Sequence, residues 1–234
     1  KEARTMGDRI AELEREIRRH QNLYYNGEPE ISDAEFDALW DELVQLDPQN
    51  ELFATVGEDA SPSFEKRRHV IPMTSQDKAA SPEAFLGWAD KVAHDRYVVQ
   101  YKMDGASLEL QYTHGRLRHG VTRGDGTIGD DITANVRRMQ GALPRIDPAF
   151  TGAVRGEVVM SHAVHAAKYS DKANCRNAAN GLMKRKDGLG SADLLIIVYD
   201  ALHAENEAFF NDELSKLRWL AAQGFTVVEY RVVE

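Results

Sequence analysis

Apolar residues in the first fifty positions recur at the spacing of amphipathic helices. One stretch spans residues 8–25, and its apolar side chains share one helix face, at Ile10, Leu13, Ile17 and Tyr24. A second helix should begin at Ser32, because Ser32 and Glu35 have the spacing of a capping box, and should end before Pro48. Its apolar stripe is formed by Phe36, Leu39, Trp40, Leu43 and Leu46. The pattern predicts a helical hairpin.

After the polar run 56–63, which contains Gly and Pro, the pattern changes from helical spacing to alternation. Leu108, Leu110 and Tyr112 alternate with polar residues, and His114 and Gly115 should form a hairpin turn. Further strands are expected at residues 97–101, 117–122, 154–160, 194–199 and from 225, and helices at 82–93, 131–139, 162–169 and 212–223. We predict an α+β fold, with a helical domain at 6–62, antiparallel sheets and flanking helices at 63–234, and a hinge near 57–63.

Composition narrows the class of protein. With 234 residues, of which 42% are hydrophobic, the chain can bury one core and a small satellite domain. The formal net charge of −9 argues against a broad DNA-binding surface, so any grip on nucleic acid must be local or supplied elsewhere. The single cysteine, Cys175, excludes an internal disulfide framework, and the eight histidines show no spacing of metal ligands. No apolar run reaches the length of a membrane span, so we expect a cytoplasmic protein.

Candidate chemistry begins at Lys102, which follows a predicted strand and lies close to Asp104 and Gly105. An amine held at a strand end beside a carboxylate suits a nucleophile. Attack on phosphorus requires that desolvation or neighbouring cations lower the pKa of a lysine. The short pattern KMDG alone is weak evidence and is more typical of a surface lysine before an Asp-Gly turn.

Four motifs follow in order: KMDG, TRGDGTIGDDITANVR, VRGEV and ANCRNAANG. Together they resemble the adenylation domain of NAD-dependent DNA ligases, a nucleotidyltransferase domain, over nearly the whole chain. The resemblance implies a ligase that uses NAD and Mg²⁺, forms a lysyl-AMP intermediate with release of nicotinamide mononucleotide, and seals nicks in DNA repair and replication.

The resemblance also implies roles for individual residues. Lys102 matches the lysine that forms a phosphoramide with AMP, and Asp104 and Arg123 match residues that contact the ribose and the reacting nucleotide. Glu157 matches the carboxylate of the third motif, which could accept from a ribose hydroxyl or hold a metal. Arg176, with Lys184 downstream, resembles a basic motif facing phosphate.

Two further groups match nucleotide contacts of the family. Ser75, in the run PMTS, matches the adenosine-contacting segment, and Gln100 stands where the family usually has a glutamate that reads adenine. In the hairpin, Tyr24, Asp33 and Asp37 match the pattern that holds nicotinamide mononucleotide. The chain departs from that pattern at Tyr25, where the family has histidine, and at Phe36, where it has tyrosine.

No segment like DGxxIK occurs here, so we expect a nucleotidyltransferase domain that stops before the last family motifs. Nicked DNA would then be bound through missing domains or a second subunit. The alternatives that remain open at this stage are a fragment, a subunit of a split ligase, a noncatalytic nucleotide-binding subunit, and a related enzyme that acts on RNA or uses ATP.

Overall fold

The computed structural model describes residues 6–26, 30–54, 64–74, 79–92 and 94–234. The α-helices of this part are α1 (Met6–Asn26), α2 (Asp33–Leu46), α3 (Pro82–Val92), α4 (Thr133–Val136), α5 (His162–Lys168), α6 (Cys175–Met183) and α7 (Glu213–Ala222). The strands are β1 (Lys66–Arg68), β2 (Tyr97–Gln100), β3 (Ala106–Thr113), β4 (Arg116–Thr122), β5 (Ile128–Asp130), β6 (Gly152–Val159), β7 (Leu195–His203) and β8 (Tyr230–Val233). Across these ranges, no helix combines the length and the apolar character needed to span a membrane.

Helices α1 and α2 form the expected hairpin around a core of their own. Its buried members are Leu13, Ile17, Leu43 and Leu52. The predicted capping box is confirmed, because the Ser32 hydroxyl accepts from the Glu35 N–H at 3.3 Å and the Glu35 carboxylate accepts from the Ser32 N–H at 2.8 Å. The partly buried Phe36 packs against this core, as an apolar seam residue would.

The centre of the second part is an antiparallel sheet in the order β4-β3-β6-β7. Because successive side chains of a strand point to opposite faces, each strand contributes to two different surfaces. One face is apolar and packs against helices such as α6 and α7, through Leu108, Leu110, Val154, Val158, Ile196 and Val198. The other face is polar and carries Ser107, Glu109, Arg155 and Glu157 in adjacent register positions.

Two smaller antiparallel sheets lie outside this one. Strand β1 pairs with β5, and β2 pairs with β8. Strand β2 is followed by residues 101–105, which lead directly into β3. This short connection therefore joins the β2–β8 pair to the four-stranded sheet.

The structure confirms the α+β class and the turn at His114 and Gly115, both of which have positive φ. Two predicted elements were wrong in extent. The helix expected at 131–139 is reduced to α4, because the Asn135 amide donates to the Met183 and Arg185 carbonyls at 2.9 and 2.7 Å and Gln140 pairs with Leu195 instead. The last strand begins at Tyr230 rather than 225, and only an isolated bridge at Val227 precedes it.

Replacing Leu110 with alanine should lower the free energy of unfolding by about 2–5 kcal/mol, because Leu110 is fully buried on the central strand β3. Urea denaturation of the purified chain measures this change. The matched control is Leu189→Ala, since Leu189 is 62% exposed and its truncation should cost less than about 0.5 kcal/mol. Equal costs at the two positions would contradict the placement of the core.

Candidate functional site

The loop 101–105 presents Lys102 and Asp104 to solvent while its last residue is buried against β6. At Gly105, a Cβ atom would overlap the backbone oxygen of Val158 and crowd the Glu157 side chain, so only glycine fits. The Gly105 N–H lies close enough to the Glu157 carboxylate to favour its charged form. The loop that carries the candidate nucleophile is thereby fixed beside the candidate carboxylate.

Glu157 lies on the polar face of the sheet, partly withdrawn from water. Its Oε2 accepts from the Ser107 hydroxyl at 3.1 Å. Burial raises the pKa of Glu157, although the Ser107 hydrogen bond and the positive charges of Arg176 and Lys102 oppose that shift. Both cations are therefore close enough to Glu157 to act on its charge.

Arg176 joins this group from α6. The side chain of Asn174 caps that helix by accepting from the Asn177 N–H at 2.8 Å, which places Arg176 in its first turn. Arg176 Nη1 lies 3.2 Å from Asp104 Oδ1. Because the Asp104 side chain is 78% exposed, this ion pair contributes little to stability and can exchange for a bound anion.

Just after α6, burial lowers the pKa of Lys184 to about 8. Lys184 is thus the basic side chain of this motif whose charge is most easily lost near neutral pH. Cys175 is the first residue of α6, and its sulfur lies 3.4 Å from His162 Nδ1.

Arg123 follows β4 at the same end of the sheet as loop 101–105, since its neighbour Thr122 pairs with Leu108. Its backbone oxygen accepts from the Gly126 N–H at 3.0 Å, and Gly124 and Gly126 have positive φ. The run RGDG is therefore a tight turn. The structure places Arg123 on this turn near the other site residues.

Tyr199 was not predicted from the sequence. It occupies the polar face beside Ser107 and Glu157, and burial raises its pKa to about 12. The Gln100 amide donates to the Tyr199 backbone oxygen at 3.4 Å, which puts Gln100 at the edge of the same surface. Its role toward adenine stays a prediction.

A second unpredicted group is the buried cluster of His69, Glu109 and Arg155. The His69 and Glu109 side chains are 0% exposed, and His69 Nδ1 lies 3.3 Å from Glu109 Oε1. Arg155 Nε lies 3.8 Å from Glu109 Oε2. Burial alone would raise the pKa of Glu109, but the adjacent His69 imidazole and hydrogen bonds from Gln111 and the Val70 N–H hold it below its usual value. The carboxylate stays ionised between two basic side chains.

This cluster attaches the chain segment 69–73 to the polar face. The Val70 N–H donates to Glu109 at 3.0 Å, and Arg155 Nη2 donates to the Ile71 oxygen and, at 3.1 Å, to the Pro72 oxygen. His69 Nε2 lies 2.9 Å from the Arg123 oxygen, and the Met73 N–H donates to the Gly126 oxygen at 2.7 Å. The segment is thus tied to both the sheet and the RGDG turn.

Several predicted contacts lie outside the residues that the structure describes. These are Ser75, the side chains of Tyr24 and Asp33, and the expected hinge at 57–63. Asp37 is described and is half-buried on α2. Among the described residues, no group of three His, Cys, Asp or Glu side chains could hold a metal ion.

Comparison with known proteins gives two consecutive family matches. Residues 61–233 match the family model described as the NAD-dependent DNA ligase adenylation domain, and residues 3–63 match the DNA ligase-like, N-terminal NAD+-binding domain.

Curated relatives carry the name DNA ligase. The chain is 52% identical to the DNA ligase of Treponema denticola over 95% of its own length and 37% of the relative's. It is 48% identical to that of Treponema pallidum over 94% of the chain and 28% of the relative. Against the DNA ligase of Sorangium cellulosum, identity is 37% over 93% of the chain and 36% of the relative. The chain thus spans about a third of the length of these relatives, and their names do not favour the RNA-ligase alternative.

Replacing Glu109 with glutamine should lower the free energy of unfolding at pH 7 by about 3 kcal/mol, because it leaves the Arg155 guanidinium without its buried counter-charge. Since folding lowers the pKa of Glu109, its stabilising contribution is present above the unfolded value near 4.3 and is lost as the pH falls through the folded value. Urea denaturation at pH 7 and below pH 4 should therefore show a difference that shrinks in acid. The exposed Glu65→Gln serves as control, and an equal effect there would refute the cluster's role.

Proposed function

The chain belongs to the NAD-dependent DNA ligase adenylation domain family, and on that premise we propose that it transfers AMP from NAD to its own Lys102. The Lys102 amine would attack the α-phosphorus of NAD, forming a P–N bond as the P–O bond to nicotinamide mononucleotide breaks. The amine loses one proton, and the leaving group carries away the negative charge. The observation that carries this proposal is the convergence of Lys102, Arg176 and Glu157 at one end of the sheet.

The surrounding residues suit the separate parts of a dinucleotide. Arg176 can exchange its exposed partner Asp104 for the phosphate, since a guanidinium binds phosphate oxygens in a fork. Lys184 and Arg123 supply further positive charge, and Glu157 can accept from a ribose hydroxyl. Ser75 and Gln100 would contact the adenosine, and Tyr24, Asp33 and Asp37 the nicotinamide mononucleotide.

Lys102 is exposed in the structure, so bound NAD itself would have to displace water from the amine. Attack on phosphorus requires the neutral form of an amine, and removal of water is the part of this activation that a bound dinucleotide can supply.

Magnesium is part of the proposal. Mg²⁺ usually binds through one or two carboxylates together with substrate phosphates, so a preformed set of three protein ligands is not required. Glu157 fits such a role, because it is a partly desolvated carboxylate whose burial disfavours its negative charge until a cation is added. When bound, the ion would offset charge on the reacting phosphate.

Later steps belong to the whole enzyme. AMP would pass to the 5′-phosphate of a DNA nick, and the 3′-hydroxyl would then displace it. We propose nicked DNA as the final substrate, bound with other domains or a second subunit, in a cytoplasmic protein of DNA replication and repair.

Intact mass of the chain before and after incubation with NAD and Mg²⁺ tests the first step. We expect the mass of one adenylyl group to be added from NAD but not from ATP, and to be absent in Lys102→Ala. Lys91→Ala, at an exposed lysine in the last turn of α3, is the matched control and should label normally. Labelling that persists in Lys102→Ala would refute the nucleophile.

Glu157→Gln should slow this labelling about 10- to 100-fold, as expected for loss of a charge-assisted hydrogen bond, and yet stabilise the unliganded chain at pH 7. Burial raises the folded pKa of Glu157, so its ionisation opposes folding once the pH exceeds that value and has no effect below the unfolded value. Stability should therefore rise in the variant at pH 7 and not below pH 4. The exposed Glu229→Gln should change neither property, and a destabilised Glu157→Gln would contradict the assignment.

A further inference from the structure

Four arginines line one cavity at the end of the sheet away from Lys102. They are Arg116, Arg118, Arg137 and Arg145, which we call the arginine cluster, and the cavity has a volume of about 390 Å³. Leu117, Ala142 and Pro144 complete its wall. The net charge of the chain is −9, but this cavity is lined by four cations and by no acidic residue. Its local charge is therefore opposite in sign to that of the chain as a whole.

Two members of the cluster are held directly opposite each other by the backbone. Arg116 and Arg145 form an isolated antiparallel bridge, and the Leu117 N–H donates to the Pro144 oxygen at 3.1 Å. Like charges directly opposite each other in such a pair destabilise it. The repulsion is relieved when an anion lies between the two guanidinium groups.

Four other arginines of the same domain have acidic partners. Arg67 pairs with Asp131, Arg155 with Glu109, Arg176 with Asp104 and Arg185 with Asp187. Across the part of the chain that the structure describes, no carboxylate pairs with a guanidinium of the arginine cluster. The neighbouring Asp147 instead accepts from the Ala149 N–H at 2.8 Å.

The cluster is separate from the proposed nucleotide site. Strand β3 runs eight residues from Ala106, beside the Lys102 loop, to Thr113, which pairs with Arg116. At about 3.3 Å per residue, the seven steps between Ala106 and Thr113 separate the two ends of the strand by roughly 23 Å. The phosphates of a dinucleotide at Lys102 cannot reach the cluster.

We propose that the arginine cluster binds the phosphodiester backbone of duplex nucleic acid. Guanidinium forks match phosphate oxygens, and several arginines around one open cavity suit a ligand that presents phosphates in succession rather than a single ion. This inference rests on the proposed function, in which duplex DNA is the final substrate. The arginine cluster would also provide the local positive surface that a chain of net negative charge needs to bind nucleic acid.

Binding of a fluorescein-labelled duplex to the purified chain, followed by anisotropy between about 50 and 200 mM salt, tests this site. Arg116→Ala/Arg145→Ala should weaken binding about tenfold for each arginine, as expected for loss of a hydrogen bond to a charged group. The slope of log affinity against log salt should fall by about 0.9 for each phosphate that the variant no longer neutralises. Arg116→Lys/Arg145→Lys, which keeps the charges, should retain the slope.

Arg15→Ala/Arg18→Ala, at two exposed positions of α1, is the matched control and should leave affinity and slope unchanged. Three results would overturn the proposal: no binding by the parent chain, equal binding by the Arg116/Arg145 variant, or displacement of duplex by an equal concentration of inorganic phosphate, which indicates a small-anion site. Labelling of Lys102 by NAD should be normal in every variant. Because the binding assay contains no NAD, failure of that labelling would count against the proposed function alone.

Discussion

The polar face of the sheet is organised around one buried negative charge, that of the Glu109 carboxylate. An ionised carboxylate inside a protein is strongly destabilising unless cations and hydrogen-bond donors surround it, and Glu109 has His69, Arg155, Gln111 and the Val70 N–H. Those donors come from the segment 69–73, from β6 and from β3 itself. The contacts of this one carboxylate therefore hold together parts of the chain that are far apart in sequence. The RGDG turn is connected to the same group by the contact between His69 Nε2 and the Arg123 backbone oxygen.

The two faces of the same sheet divide stability from chemistry. On the apolar face, residues such as Leu110 are excluded from water by the helices packed over them. On the opposite face the same strands hold groups whose environment opposes their charge, as at Glu157, or suppresses ionisation, as at Tyr199. Alternate residues of a strand point to opposite faces. The free energy gained by burying apolar side chains on one face can therefore offset the cost of desolvating ionisable side chains on the other face of the same strand.

Local signals in the sequence were sufficient for the hairpin, its capping box, the turn at His114 and the loop that carries Lys102. They failed where distant contacts decide the outcome. The helix at 131–139 was overestimated, because the Asn135 amide bonds to backbone oxygens about fifty residues away. The cluster of His69, Glu109 and Arg155 could not be foreseen, since it depends on the pairing of β3 with β6 and on a loop crossing them. Motif resemblance, by contrast, indicated Glu157 and Arg176 without any knowledge of that register.

The connection between the two sheets has a mechanical meaning. Lys102 lies between β2, which within the described residues pairs with β8 alone, and β3, which is part of the core sheet together with the strand of Glu157. The close contact of Gly105 with β6 fixes one end of this connection, and the position of β2 fixes the other end. The β2–β8 pair is itself attached to the core sheet, through the hydrogen bond from Gln100 to the Tyr199 oxygen and the packing of Val98 against the core. The nucleophile and its carboxylate therefore belong to different sheets, and the geometry between them depends on the few contacts that join those sheets.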